Sequence, residues 1–466
     1  MATAKQNECE TYRVIVFGRS GIEVLLVPGG DRFALPCVEI PRWQRVAESL
    51  TAAVNTEWGE EVICLIEPDV SASTNATGIR YQATEHLGAN GKSKLPTQWI
   101  SVSALSHDSL TGPSDYLAIQ QSIALCSTEG KESPSGPFAR LGWFKELSEW
   151  VETVIEPLGF HLNGNVRQLN ASRSFSLVRF ETDGPALWFK AVGEPNQKEF
   201  LITCTLAQLF PSYLPGVLAA RPDWNGWLTR EAAGKLLCEV WEDALWRRSA
   251  AALAELQIDS IAHGARILGA GARDLGAATL SKLIQPFMES MAQLMERQTK
   301  VPPATLVRDE LLLLGDRIQS ALDALEALGI PETLGHLDLN PGNIVVSSSR
   351  CVFLDWAEAY VGNPFFSLEY LREHLRRTNR TDSAVETKLV ESYCARWEQA
   401  VPPAAVAEAL ALAPLLAVFA YAAGSYASED AERTQEPATA GYFRSLTRRM
   451  HREATELADQ RSLCLH

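Results

Sequence analysis

Apolar and polar positions change period twice along this chain. TYRVIVF (11–17) and IEVLLV (22–27) are strand-like and are separated by the turn residues Gly18, Arg19, Ser20 and Gly21. FALPCVEI (33–40) follows the turn around Pro28, Gly29 and Gly30. Val46, Leu50, Ala53 and Val54 then recur at helical spacing, which predicts a helix ending at Gly59. VICLI, RYQATEHL and TQWISVSAL read as further strands, and SDYLAIQQSIALCS as a closing helix. STEGKESPSGP (127–137) has no apolar period and is the best linker in the chain.

After the linker, Leu147, Trp150, Val151 and Val154 share a helical face. From His161 the pattern turns to strands: QLN, a turn at Ala171 to Ser174, FSLVRFET, Asp183-Gly184 and ALWFKAV predict a meander. EFLITCTLAQLF predicts a helix opening at Glu199, and LPGVLAA and WLTREAAG flank a Trp-Asn-Gly turn. From Cys238 the period is helical. Leu280, Ile284, Met288, Met291 and Met295 form one stripe; Leu311, Leu314, Ile318, Leu322 and Leu325 form another, closed by Gly329. Ala409–Ala427 carries no charge over 19 residues. Its length would permit a membrane span. Its Ala-rich composition, with Pro414 and Gly424, predicts a buried helix instead.

Composition narrows the function classes. At 466 residues the length prior allows about three domains. The 42 basic and 57 acidic side chains leave a net charge of −15, which argues against a broad nucleic-acid interface. Nine cysteines lie scattered without a C-x-x-C pair, as expected for reduced thiols in the cytoplasm. The opening MATAKQNECETYR has no apolar h-region, so no secretory signal is expected.

The stretch with most chemistry is LGHLDLNPGNIVVSSSRCVFLDW (334–356). A tight loop from His336 to Asn343 leads into NIVV, a Ser-rich turn and CVFL, a hairpin signal that ends on Asp355. The hairpin would hold Asp338, Asn343 and Asp355 at one end. Converging carboxylate and amide oxygens suit magnesium, which completes its shell with phosphate oxygens. Phosphoryl transfer needs in-line positioning, charge neutralisation by the metal and an acceptor for the proton of the incoming hydroxyl. Asp338 fits the last role; Asn343 and Asp355 fit the metal roles.

This arrangement, H-x-D-x-x-x-x-N followed by a hairpin ending in D-W, resembles the aminoglycoside phosphotransferase and choline kinase family, a branch of the protein-kinase-like fold. The family favours H-G-D-x-H-x-x-N; this chain has Leu337 in place of the Gly and Asn340 in place of the second His. His336, Asp338, Asn343 and Asp355 are kept, and Gly362-Asn363-Pro364 supplies the expected turn into a helix. The resemblance implies Lys190 as the phosphate-binding lysine on a strand and Glu199, nine residues on, as its ion-pair partner. A strand lysine between Phe189 and Ala191 also needs a negative partner on physical grounds. No glycine-rich loop is present; Ser172 and Ser174 are the candidates for phosphate contact. His336 is expected to support the loop through backbone hydrogen bonds. Glu358, Glu369 and Glu373 stand near the site in sequence as candidates for holding an amine.

The N-terminal order, β-β-β-α then further strands and a helix with an E-x-G end, resembles a Nudix domain. The catalytic glutamates are missing: Gln44, Ala52, Ala53 and Thr56 stand at acidic or charged positions, Val38 replaces the opening Gly, and Glu57 alone remains. One carboxylate makes a poor magnesium cage, so a non-hydrolytic docking or substrate-covering module is expected.

The expected fold class is α+β: a bilobal protein-kinase-like fold preceded by a Nudix-like α/β/α domain. The expected boundaries are 1–126 for the Nudix-like domain, 127–137 for the linker, 138–233 for the small lobe with its leading helix and hinge, and 234–466 for the helical large lobe. The expected activity moves the γ-phosphoryl group of ATP, with GTP equally open, to a hydroxyl of a small polar molecule in a magnesium-dependent reaction. Aminoglycosides, amino sugars and choline are among the candidate acceptors. No nucleic-acid or membrane partner is expected, and oligomeric state cannot be read. The alternatives are a silent kinase-like nucleotide-binding module and a nucleoside-diphosphate hydrolase acting through the N-terminal domain.

Overall fold

The computed structural model describes residues 9–18, 21–42, 44–65, 67–68, 79–89, 96–126, 137–172, 175–377, 383–428 and 431–463. By internal contacts the chain divides into two compact units, Met1–Phe200 with Gly216–Glu231, and Leu201–Pro215 with Ala232–His466. The expected linker lies, at 127–136, outside the described residues.

The first unit opens with strands β1 (Cys9–Phe17), β2 (Glu23–Gly29), β3 (Arg32–Ala34) and β4 (Cys37–Pro41), then helix α1 (Val46–Trp58). Strands β5 (Glu60–Cys64), β6 (Arg80–Ala89) and β7 (Gln98–Ser101) follow, then α2 (Asp115–Cys126) and α3 (Trp143–Ile155). The one run FALPCVEI therefore breaks into two strands. The seven strands form one sheet in the order β3-β2-β1-β6-β5, with β4 on β1 and β7 on β2.

Central strand β1 is buried on both faces, as its unbroken apolar run requires. Tyr12, Val14 and Val16 pack with Leu50, Val54 and Trp58 of α1. Ile15 and Phe17 point the other way, into a cluster with Ile119 of α2 and Trp143 and Leu147 of α3. Helix α1 ends where expected: Gly59 takes φ 76° and its N–H donates to the Asn55 carbonyl.

The same unit continues with β8 (Leu162–Ala171), β9 (Phe175–Thr182), β10 (Leu187–Val192), the start of α4 (Lys198–Leu209), β11 (Val217–Arg221) and β12 (Gly226–Arg230). The strands form an antiparallel sheet ordered β11-β12-β10-β9-β8. Val178, Phe180, Leu187, Phe189 and Leu228 of this sheet join the cluster that holds Ile15 and Phe17. Residues 1–126 and much of 138–233, expected as separate domains, thus share one apolar core, because α3 packs its buried face into both. Residues 201–215 and 232–233 of the expected small lobe belong to the second unit, where Ile202, Leu206, Phe210 and Leu214 are buried.

The second unit carries β13 (Lys235–Leu236), α5 (Asp243–Ser260), α6 (Gly264–Gly269), β14 (Arg273–Leu275), α7 (Ala277–Glu296) and α8 (Arg308–Ala327). Strands β15 (Thr333–His336), β16 (Ile344–Val346), β17 (Cys351–Phe353) and β18 (Ala359–Gly362) follow. Helices α9 (Phe365–Arg377), α10 (Ser383–Trp397), α11 (Pro403–Ser428), α12 (Ala431–Gln435) and α13 (Pro437–Leu463) complete it. Both predicted stripes of α7 and α8 are buried. Helix α11 is long and apolar enough to cross a membrane. Its Leu412, Leu415, Leu416, Phe419 and Ala423 lie inside the unit's core, and residues 412–424 are buried nearly all round, while Ala404, Ala407 and Ala411 stay exposed.

Two small sheets frame the stretch 334–362: β13-β16-β17, and β14-β18-β15. Gly335 sits where β15 meets β18. A Cβ there would stand 2.0 Å from Cζ of Tyr360, whose ring is fully buried. Tyr360 is fixed by hydrogen bonds of 3.0 Å with the Asn363 carbonyl and the Ser367 hydroxyl, so it cannot retreat cheaply. Gly335→Ala is therefore expected to lower stability by about 1–3 kcal/mol through overpacking. Urea denaturation of the full chain measures it, and an unchanged midpoint would contradict the packing described.

Candidate active site

Residues 336–343 turn back on themselves around one buried side chain. His336 has no exposed surface. Its Nδ1 accepts the Asp338 N–H at 3.1 Å and its Nε2 faces the Leu354 carbonyl at 3.0 Å. Those two bonds call for the neutral tautomer with the proton on Nε2. Burial pushes the imidazole pKa below its usual value, against the opposing pull of the Asp355 and Asp338 charges. The His336 N–H donates to Ser367 Oγ at 2.8 Å, tying the loop to α9.

Both departures from the family pattern have structural uses. Leu337 is buried, and its N–H donates to the Glu358 carbonyl at 3.0 Å. Asn340 Oδ1 accepts the Gly342 N–H at 2.8 Å, and its Nδ2 donates to Asp338 Oδ1 at 3.2 Å. The amide at 340 thus closes the turn and steadies the aspartate.

Asn343 Nδ2 donates to the Asp338 carbonyl at 3.0 Å, which commits the amide nitrogen and leaves Oδ1 as an acceptor. The Leu354 N–H donates to the Asn343 carbonyl at 2.8 Å, and Ile344 pairs with Phe353. Asn343 and Asp355 therefore stand at the same end of the β16–β17 hairpin. Asp355 adopts φ 62°, ψ 67°, a left-handed conformation uncommon outside glycine and tolerated best by Asp and Asn. Strain of this kind is held in place by its surroundings. Here those are Trp356, buried against the His336 ring at 4.9 Å, and the Leu354 bonds. A cavity of about 1150 Å³, edged by Arg247, Arg248, Arg350 and Arg396, lies at the opposite, turn end of the hairpin, away from the aspartates.

Within the first unit, Lys190 Nζ meets Glu199 Oε1 at 2.5 Å. Glu199 is 2% exposed and the lysine side chain 14%. The ammonium also lies over the rings of Phe175, 5.2 Å away, and Trp227, 5.9 Å away. Ser172 Oγ accepts the Phe175 N–H at 3.3 Å and donates to the Phe175 carbonyl at 3.2 Å, closing its own turn. Ser174 lies outside the described residues.

Of the three acids flagged by sequence, two are committed elsewhere. Glu369 is buried and pairs with Arg372 at 2.7 Å and Arg376 at 3.1 Å. Glu373 pairs with Arg377 at 3.0 Å and Arg449 at 2.9 Å. Glu358 is also paired, with Arg273 at 2.8 Å, and burial raises its carboxyl pKa as it does that of Glu369. At Glu358 the Asp338 and Asp355 charges act in the same direction, which places it near them. The Tyr370 hydroxyl is likewise pushed up by burial and then by the Asp338 charge. Its ring packs at 6.0 Å on Tyr421, whose hydroxyl accepts from that of Tyr442 at 3.1 Å. This tyrosine group gave no sequence signal, because its members lie on three separate helices.

Residues 242–406 match the profile of the phosphotransferase enzyme family (APH), a span that includes the whole loop and hairpin. No curated protein matches the chain. Among solved structures, the macrolide 2'-phosphotransferase MphH of Brachybacterium faecium is similar at 18% identity and a TM-score of 0.42, covering 65% of this chain and 98% of its own. The choline kinase LicA of Streptococcus pneumoniae gives 16% identity and 0.43, covering 67% and 99%. A GDP complex of an aminoglycoside 2'-phosphotransferase IIIa variant gives 15% and 0.44, covering 66% and 97%.

The buried imidazole makes stability depend on pH. In the unfolded chain His336 takes a proton near 6.5; in the folded chain it does so only at lower pH. Its contribution is complete above about pH 6.5 and declines as pH falls toward the folded value, because the unfolded state then binds more protons. Urea midpoints are expected to drop between about pH 7.5 and pH 5. They are expected to drop less in His336→Gln, and equal drops in the two proteins would contradict the neutral buried histidine.

Proposed function

We propose that the protein is a phosphotransferase that moves the γ-phosphoryl group of ATP or GTP to a hydroxyl of a small polar acceptor. The observation that carries this reading is the Asp338–Asn343–Asp355 constellation, built around a buried neutral His336 inside a segment that matches a phosphotransferase family. In the proposed step the acceptor oxygen bonds to the γ-phosphorus, the bond from that phosphorus to the β–γ bridging oxygen breaks, and ADP or GDP leaves. Asp338 takes the hydroxyl proton. The His336 and Asn340 bonds hold its backbone and carboxylate against rotation.

Asn343 Oδ1 and Asp355 fit magnesium: both are hard oxygen donors at one end of a rigid hairpin. Among the described residues no three His, Cys, Asp or Glu side chains form a cage, so the remaining ligands would come from phosphate and water. When bound, magnesium would neutralise phosphate charge and fix the γ-group for in-line attack. Lys190, positioned by Glu199, is assigned to the phosphates. In this reading the five-stranded sheet serves as the nucleotide-binding lobe and the N-terminal sheet as a non-hydrolytic accessory.

Glu358 and the Tyr370–Tyr421 rings are assigned to the acceptor, and their acid-plus-aromatic chemistry favours an amine-bearing alcohol. The decisive measurement is magnesium-dependent ADP release over a panel of aminoglycosides, amino sugars, simple sugars, choline and amino-acid alcohols. Turnover with one acceptor, reduced by about 10²- to 10⁴-fold in Asp338→Ala, is expected. Nucleotide binding without turnover of any acceptor would favour a silent nucleotide-binding module, and binding of neither ATP nor GTP would overturn the phosphotransferase reading. For the acceptor that works, Glu358→Gln is expected to raise KM if that acceptor is cationic while leaving KM for ATP unchanged. An unchanged acceptor KM would remove Glu358 from the site.

A further inference from the structure

The matched family segment begins at residue 242, which leaves the N-terminal sheet without an assigned role. Its attachment to the rest of the first unit is specific. In the five-stranded sheet β8 is an end strand, paired on one side by β9. An end strand leaves a row of backbone groups open and its position weakly fixed. Side chains of this strand tie it to α1 and to the backbone at the end of β5. Gln168, 3% exposed, donates from Nε2 to the Cys64 carbonyl at 2.9 Å and accepts the Cys64 N–H on Oε1 at 2.7 Å. The amide thereby exchanges two bonds with the end of β5 as a strand residue would.

Sequence register shows that this is a built feature. Pairing of β8 with β9 shifts between Gln168 and Asn170, an irregularity of the kind that re-aims side chains. Gln168 and Leu169 are consequently both buried, where strict alternation would expose one of them. Next door, Arg167 pairs with Glu48 of α1. Ala171 packs against the cluster of Tyr12, Leu50, Val54 and Trp58.

The strand held in this way leads straight to the nucleotide elements proposed above. Ser172 follows Ala171 and closes its turn onto Phe175. Phe175 lies under the Lys190 ammonium, and Lys190 opposes Leu177 of β9. A continuous chain of contacts therefore runs from α1 and Cys64 through Gln168 to Lys190, inside one compact unit.

We infer that the N-terminal sheet is a positioning element for the nucleotide: α1 and the end of β5 hold β8 so that the Ser172 turn and Phe175 keep their place beside Lys190. This rests on the phosphotransferase reading, with Gln168 as the positioning residue. Nucleotide bound at Lys190 should in turn tighten the N-terminal domain, since coupling between two sites is reciprocal.

The test uses the full chain with magnesium and ATP. Gln168→Leu keeps the side-chain size and removes both bonds. It is expected to raise KM for ATP about fivefold or more with kcat little changed. In wild type, ATP is expected to slow hydrogen exchange of the backbone N–H groups of residues 46–64, and Gln168→Leu to abolish that effect. Arg167→Glu, on the exposed pair, guards against misfolding of the buried variant. Its smaller KM increase is expected to come with an unchanged urea midpoint and to be rescued by Glu48→Arg; a purely structural contribution would move the midpoint together with KM. Unchanged KM in folded variants, or exchange at 46–64 that ignores ATP while ATP binds, overturns the inference alone. Binding of neither ATP nor GTP by wild type in calorimetry overturns the phosphotransferase reading and takes this inference with it; binding of GTP alone moves the same measurements to GTP.

Discussion

The second unit is organised by the two hydrogen bonds of one buried imidazole. His336 joins the Asp338 N–H to the Leu354 carbonyl, and so links the start of the loop to the residue before Asp355. An imidazole can bridge a donor and an acceptor only while neutral, and complete burial keeps it so. The tight turn at Asn340, the left-handed Asp355 and the committed amide of Asn343 all depend on that bridge being in place. Burying a polar ring costs free energy that its two bonds and the packed Trp356 ring offset. The result is a set of oxygen atoms held in place by the fold itself, as charge stabilisation in the proposed phosphoryl transfer requires.

A comparable economy operates in the first unit. Lys190 is held by a nearly inaccessible glutamate and two aromatic faces. A buried ion pair of this kind contributes little net stability, since desolvation consumes most of the attraction. Its use is geometric: the ammonium has one place to be. The same unit spends Gln168, another buried polar side chain, on fixing the strand that leads to the lysine's neighbour Phe175. At these two positions polar burial fixes location more than it adds stability.

Much of this was legible along the chain. The helices and their buried stripes followed from the 3.6-residue period, and Gly59 and Gly329 fell at helix ends because those ends need positive φ. The hairpin from Asn343 to Asp355 was readable because its strands pair locally and its register is set by a short turn. The Lys190–Glu199 pair was readable for the same reason, nine residues of separation. Less legible was the fate of Glu369 and Glu373. As acids near the site they looked available, but arginines as distant as Arg449 claim them.

By itself, then, the sequence determined most of the secondary elements, the hairpin that follows the loop and the charge types at each candidate position, since all of these are set by neighbours within a few residues. Only the tertiary structure decided which acids stay near Asp338, how Tyr370, Tyr421 and Tyr442 come together, and that residues on both sides of 127–137 share one core. The Gln168–Cys64 pairing, 104 residues apart, belongs to the same class. Periodicity reports which face of an element is buried and carries no record of what buries it. That choice is made by packing between elements distant in sequence, where shape and unsatisfied polar groups select the partner.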